Sequence, residues 1–196
     1  EKLVDTSDEW ILTRTGIVER RIAPEEEATS DLALPAAQAA LEAAGLDPAD
    51  LDMILVATIT PDMPFPSTAC VLQDRLGARR AGALDISAAC SGFVYGLAVA
   101  DGLIRTGTAR TVLLLGAETL SRVVNWQDRN TCVLFGDGAG AVVLRADEGE
   151  RGVLSTHLYA DGSRGSLLML PGCGSRHPVS HAAVDAGLAK MQMNGG

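Results

Sequence analysis

Ala83-Leu84-Asp85-Ile86-Ser87-Ala88-Ala89-Cys90-Ser91-Gly92-Phe93 runs from a short apolar strand, through small residues, into a helical pattern that opens at a cysteine. The pattern reads as strand 83–86, a tight turn, then helix 90–105 closed by Gly107. Unpaired N–H groups and the dipole at a helix start favour a thiolate. The small neighbours leave room for a substrate to approach the sulfur. This is the setting a cysteine nucleophile requires. The competing reading is an inert core cysteine, the commoner fate of free thiols.

Outward from that turn, strands and helices alternate, which implies a sheet with helices on its faces. Thr29 or Ser30 is expected to cap a helix through Ala44, with Gly45 as its stop and Pro35 placed to bend it. Residues 53–59 form a continuous apolar run, as in a strand buried on both faces. Pro64-Phe65-Pro66-Ser67 is a stiff loop, and Ser67 is expected to cap a helix ending near Leu76-Gly77. Phe93, Val94, Leu97 and Ile104 give helix 90–105 an apolar side. Residues 111–115 and 141–144 read as two more buried strands, and 153–159 as another. No internal repeat, low-complexity tract or linker divides residues 1–196, which read as one large domain or half of a larger fold.

Apolar residues make up 47% of the chain but aromatics only 4%, so the core must be built from Ala, Val, Leu and Ile. No apolar run reaches the length of a membrane span, and no signal peptide opens the sequence. Cys70, Cys90, Cys132 and Cys173 form no CxxC pair, which argues against zinc and against a disulfide framework; a reducing cytoplasm is the expected setting. A net charge of −9 repels nucleic acid and anionic ligands alike. An anionic substrate therefore needs local cations, for which Arg14, Arg20, Arg21 and Arg129 are candidates, each otherwise an ordinary solvated arginine.

Phe135-Gly136-Asp137-Gly138-Ala139-Gly140-Ala141 is glycine-rich but leads into a strand, whereas a phosphate loop follows a strand and opens a helix. Nucleotide binding there is rejected, and Asp137 is expected to bond local backbone N–H groups. A cysteine nucleophile commonly works with a histidine base. His157 lies in a strand pattern, and His177 and His181 lie in a Gly/Pro/Ser stretch. None of the three completes a Cys/His pair. Trp10 and Arg14 are i, i+4 on a helical pattern, so they share a face and can hold a flat ring between them by stacking and cation–π contact.

Taken in order, these runs resemble the β-ketoacyl-[acyl carrier protein] synthase III family of the thiolase-like superfamily. The resemblance rests on Asp5-Thr6-Ser7-Asp8-Glu9-Trp10 with Arg14-Thr15-Gly16-Ile17, Phe65-Pro66-Ser67-Thr68-Ala69-Cys70, and Ala88-Ala89-Cys90-Ser91-Gly92-Phe93. Gly116-Ala117-Glu118, the glycine-rich run at 135–141, Thr156-His157-Leu158 and Ala160-Asp161-Gly162-Ser163 complete it. It implies an α/β fold, the N-terminal half of a duplicated αβαβα sandwich. It implies that Cys90 is acylated by an acyl-CoA substrate, with no tightly bound cofactor and no metal. Thr6, Trp10, Arg14 and Arg129 match positions that hold the adenine end of coenzyme A. Ile59, Leu120, Phe135 and Leu167 match the acyl pocket, and Phe65 the loop residue that enters a partner subunit's pocket, implying a homodimer.

The implied second substrate is malonyl-[acyl carrier protein], with no nucleic acid or membrane partner. The family's catalytic histidine and asparagine lie in the second half of the fold, beyond Gly196, and His157, His177 and His181 match neither. The chain accordingly reads as an internal portion of a longer protein, with a first strand upstream of Glu1. Two alternatives remain: a priming synthase of polyketide or related metabolism, and a non-catalytic partner subunit that keeps the fold.

Overall fold

β1 (Met53–Ala57) is flanked on both sides by parallel strands. Leu55 pairs with Leu84 of β2 (Gly82–Ile86) and with Leu114 of β3 (Thr111–Thr119), and the sheet order is β2-β1-β3-β4, where β4 is Asp137–Arg145. The computed structural model describes residues 3–149 and 152–194, which divide into two compact units. One comprises Ala23–Glu118 and Gly138–Leu158; the other comprises Glu1–Ile22, Thr119–Asp137 and Tyr159–Gly196.

The larger unit holds the sheet. Ile54, Val56, Leu113 and Leu115 face Ala33, Ala37 and Leu41 of helix α2 (Thr29–Ala44) and Ala69 and Leu72 of α3 (Thr68–Leu76). Leu55, Val112 and Leu114 face the opposite way, against Ala100, Phe93, Leu97 and Ile104 of α4 (Gly92–Arg105). Covering both faces buries Ile54–Ala57 of β1 and Thr111–Leu115 of β3, which is why these stretches are almost wholly apolar. Alanines on the inner faces of the helices let them lie close, as a core poor in aromatics requires. Two glycines seat α4: a Cβ at Gly92 would lie 2.9 Å from Ala57 Cβ, and one at Gly96 would lie 2.3 Å from Leu114 Cδ1.

Several sequence expectations are met here. Ser67 Oγ accepts the Cys70 N–H (3.1 Å) to cap α3, which stops at Gly77 (φ 75°), and α2 stops at Gly45 (φ 63°). Others are corrected. The N-cap of α2 is Ala28, whose N–H donates to Asp31 (2.8 Å), while Asp62 accepts the Ser30 N–H (2.9 Å). Thr29 and Ser30 sit inside the helix and bond elsewhere, Thr29 Oγ1 donating to the Thr60 carbonyl (2.5 Å) and Ser30 Oγ accepting from Arg75 (3.0 Å). The helix continues past Pro35. β1 ends at Ala57, two residues before the apolar run does.

β4 is the last strand in the sheet order and is only half-buried, and the glycine-rich run lies within it rather than before it. Residues 153–159 form no strand: Leu154 is 91% exposed, His157 is exposed, and the Val153 carbonyl accepts from the Arg105 guanidinium (3.0 Å).

The smaller unit is built on α1 (Asp8–Thr15), capped by Ser7 Oγ on the Trp10 N–H (3.1 Å) and stopped by Gly16 (φ 71°). Its core joins Ile11 to Val124, Cys132 and Val133, with Trp10, Trp126 and Phe135 packed around them. α5 (Arg129–Cys132), the antiparallel pair β5 (Leu168–Met169) and β6 (Gln192–Met193), and α6 (His181–Asp185) complete it. Gly136 passes within contact of the Arg21 backbone, where a Cβ would lie 3.1 Å from the Arg21 carbonyl oxygen.

Candidate functional site

Cys90 lies on a 3-10 turn, Ala89–Ser91, between β2 and α4, so the helix begins two residues later than its apolar pattern suggests. The turn closes through the Ser91 N–H to the Ala88 carbonyl (3.1 Å), and Ala89 takes φ 46°. The thiol is exposed and unbridged. β2 lies on one side of β1 and β3 on the other, so the connection through α4 crosses β1. Gly92, held against Ala57 at the end of β1, fixes the turn there.

Two carboxylates that the sequence reading did not single out organise these strand ends. Asp85 accepts the N–H groups of Thr68 and Ala69, both at 2.8 Å, and so ties the start of α3 to β2. A charged residue in the middle of an apolar strand was the available signal. Glu118 accepts the Ile59 N–H (2.9 Å), the Thr60 N–H (3.1 Å), the Thr60 hydroxyl and the Thr58 hydroxyl (3.3 Å). Ile59, the first residue of a solvent-facing stretch, is 38% exposed, and Phe65 on the following loop is 84% exposed.

In the smaller unit the expected ring-binding residues come together. The Arg14 guanidinium carbon lies 4.9 Å from the centre of the Trp10 ring and that of Arg129 lies 4.6 Å from it. These are direct cation–π distances. Arg14 thus touches Trp10 itself, and no flat ring fits between them as they stand. Arg129 also donates to the Asp5 carbonyl (2.9 Å), beside Thr6, whose hydroxyl oxygen is buried without a hydrogen-bond partner. Leu3, Val4, Asp5, Gln127 and Arg129 line a shallow cavity at this point.

Phe135 is half-buried in the unit's core, Leu120 is half-buried in a 3-10 turn after β3, and Leu167 is 45% exposed. Of the other arginines, Arg20 donates through Nε to the Val133 carbonyl (2.8 Å) and Arg21 pairs with Glu19 (2.8 Å). Asp137 accepts from the Ser121 N–H (2.8 Å) and hydroxyl (2.6 Å), sixteen positions away rather than locally. His177 and His181 are exposed. Among the other thiols, burial, followed by the charge of Asp128, pushes Cys132 up, which disfavours a thiolate there.

The family model for 3-oxoacyl-[acyl-carrier-protein (ACP)] synthase III matches residues 84–162, the stretch holding β2, the Cys90 turn, α4, β3 and β4. Over its full length the chain is 60% identical to the β-ketoacyl-[acyl-carrier-protein] synthase III of Caldanaerobacter subterraneus subsp. tengcongensis, of which it covers 59%. Along its whole length the chain is similar to synthase III proteins. The crystal structure of the synthase III from Aquifex aeolicus VF5 superposes with a TM-score of 0.86 at 50% identity, covering 98% of this chain and 57% of that one. A priming β-ketosynthase from the R1128 polyketide biosynthetic pathway superposes with a TM-score of 0.83 at 33% identity, with 98% and 57% covered. The chain therefore spans somewhat more than half the length of its synthase III relatives, and its α/β sheet is that of the N-terminal half of the thiolase-like fold.

Proposed function

We propose that this chain is the thiol-bearing part of an acyltransferase that initiates fatty acid synthesis by decarboxylating condensation of acyl-CoA, acetyl-CoA above all, with malonyl-[acyl carrier protein]. The supporting observation is the exposed Cys90 on a glycine-seated turn beyond the ends of β1 and β2. The Cys90 thiolate attacks the thioester carbonyl, the tetrahedral adduct collapses with loss of the coenzyme A thiolate, and an acyl-Cys90 thioester remains. The Cys90 backbone N–H is a donor to the transient oxyanion, a contact worth about 3 kcal/mol in other enzymes. Malonyl-[acyl carrier protein] then loses CO2, and its enolate carbon attacks the acyl carbonyl. The Cys90 thiolate departs and a 3-oxoacyl thioester is released.

In this reading Thr6, Trp10, Arg14 and Arg129 bind the adenine end of coenzyme A. Adenine displaces one guanidinium from the Trp10 face and stacks in its place. Ile59, Leu120, Phe135 and Leu167 line the acyl pocket, and Phe65 reaches the pocket of a second copy in a cytoplasmic homodimer. The histidine and asparagine that stabilise the enolate belong to the second half of the fold, so residues 1–196 alone are expected to yield no condensation product. Robust 3-oxoacyl product from that fragment would overturn this last point.

Intact-protein mass spectrometry after incubation with acetyl-CoA, with Cys90→Ala as control, tests the central step. One acetyl adduct on the wild type, absent from the variant, is expected. Wild-type turnover by Cys90→Ala in a polypeptide of full synthase length would instead favour a non-catalytic role for this thiol. The likeness to the R1128 priming β-ketosynthase supports a second reading, priming of a polyketide. A panel of acyl-CoA starters separates the two, since strong preference for a bulky starter counts against fatty acid initiation.

A further inference from the structure

We propose that Glu118 is a positioning residue that sets starter-acyl selectivity by fixing where Ile59 projects; this rests on the reading of Ile59 as an acyl-pocket residue. The β1–β3 ladder ends at the pair Ala57–Gly116, yet β3 runs on to Thr119. Past Ala57 the Thr58 N–H still bonds the Ile86 carbonyl (3.2 Å) on the β2 side, while the pairing with β3 has ended. From there the Glu118 carboxylate takes over from the sheet. It collects two backbone N–H groups and two hydroxyls from Thr58, Ile59 and Thr60. Three of these donors fall on Oε2 and the Ile59 N–H alone falls on Oε1.

Thr29 Oγ1 anchors the same segment from α2 through the Thr60 carbonyl (2.5 Å). Thr58 and Thr60 are buried at 4% and 8% exposure, which leaves Ile59 as the side chain directed outward. The Ile59 backbone is thus held by an acceptor-only group bonded to its own N–H.

The test is Glu118→Gln in a polypeptide of full synthase length carrying this chain. The amide keeps the shape but turns one acceptor into a donor facing donors. The ratio of kcat/KM for isobutyryl-CoA to that for acetyl-CoA is expected to rise about tenfold, the size of a one-carbon change in pocket discrimination. Ile59→Ala should move the ratio the same way, and Glu118→Gln should add nothing further in that background. Thr60→Val removes a single hydroxyl donor and should give a smaller shift in the same direction, which keeps the test open if Glu118→Gln fails to fold. A purely structural role would lower both starters together. A ratio unchanged within about twofold in Glu118→Gln and Thr60→Val, while Ile59→Ala shifts it, overturns the role of Glu118. No shift in Ile59→Ala means that the pocket reading itself is wrong.

Discussion

At the scale of single residues, the chemistry depends on positions with almost no side chain. Gly92 is the first residue of α4, and a methyl group there would meet Ala57 Cβ at 2.9 Å, an atom attached to the backbone of a fully flanked strand. Overpacking of this kind costs about 1–3 kcal/mol. Gly92→Ala should therefore lower the unfolding free energy by that amount, read as a fall in the urea midpoint, despite alanine's better helix propensity, and should slow acyl transfer to Cys90. Wild-type stability with wild-type acylation would show that the strand end yields freely. Asp52 gives a prediction in pH. Its carboxylate accepts the Arg110 N–H (2.8 Å) and the Thr111 N–H (3.0 Å), and these hold it below the ordinary carboxylate range. A group depressed in the folded state stabilises fully above its unfolded value, and that stability is lost as pH falls through the folded one. Asp52→Asn should thus be less stable at neutral pH and show a shallower loss of stability below about pH 4. Urea titrations at several pH values check both the sign and the window.

At the scale of elements, a helix start depends on a carboxylate from a strand. Asp85 supplies acceptors to the first two N–H groups of α3 in addition to the Ser67 cap. Replacing a helix-capping acceptor by alanine typically costs about 1 kcal/mol. Asp85→Ala should lose about that much by urea denaturation, and Asp85→Asn, which keeps one acceptor, should lose less. Equal losses would show that charge rather than acceptor count matters. The elements most legible in the sequence are those whose signals are local. Ser67 and Gly77 bracket α3, Gly45 ends α2, and the apolar runs at 53–57 and 111–115 are strands covered on both faces. The misreadings share one cause, in that their partners are distant in sequence. Asp62, 32 positions on, rather than a local hydroxyl accepts the Ser30 N–H at the start of α2, and the strand pattern at 153–159 forms no strand. The Cys90 turn was legible as a turn, but its 3-10 geometry depends on α4 being set against Ala57. Glu118 and Asp85 stood in the quoted runs without a role, because a carboxylate's role is visible only once its donors are in place.

At the scale of the whole molecule, the four thiols make a probe of folding. Cys70, Cys90 and Cys173 are exposed, while Cys132 is buried with its thiol pushed up by burial. A disulfide reagent should titrate three thiols quickly and the fourth only as the smaller unit opens, so Cys132 labelling should follow unfolding. Fast labelling of all four would contradict that burial. The division of the chain between its units also has a temporal side. The larger unit has its last residue at Leu158, whereas the smaller one draws on three stretches and on residues as late as the 190s. During synthesis, at roughly 5–20 residues per second, the sheet and the turn bearing Cys90 can close while the final stretch is still inside the ribosome. For a few seconds the cell then holds a nascent polypeptide with a finished thiol-bearing turn and an unfinished smaller unit. An oxidant or electrophile that meets it in that interval finds the sulfur before any thioester does.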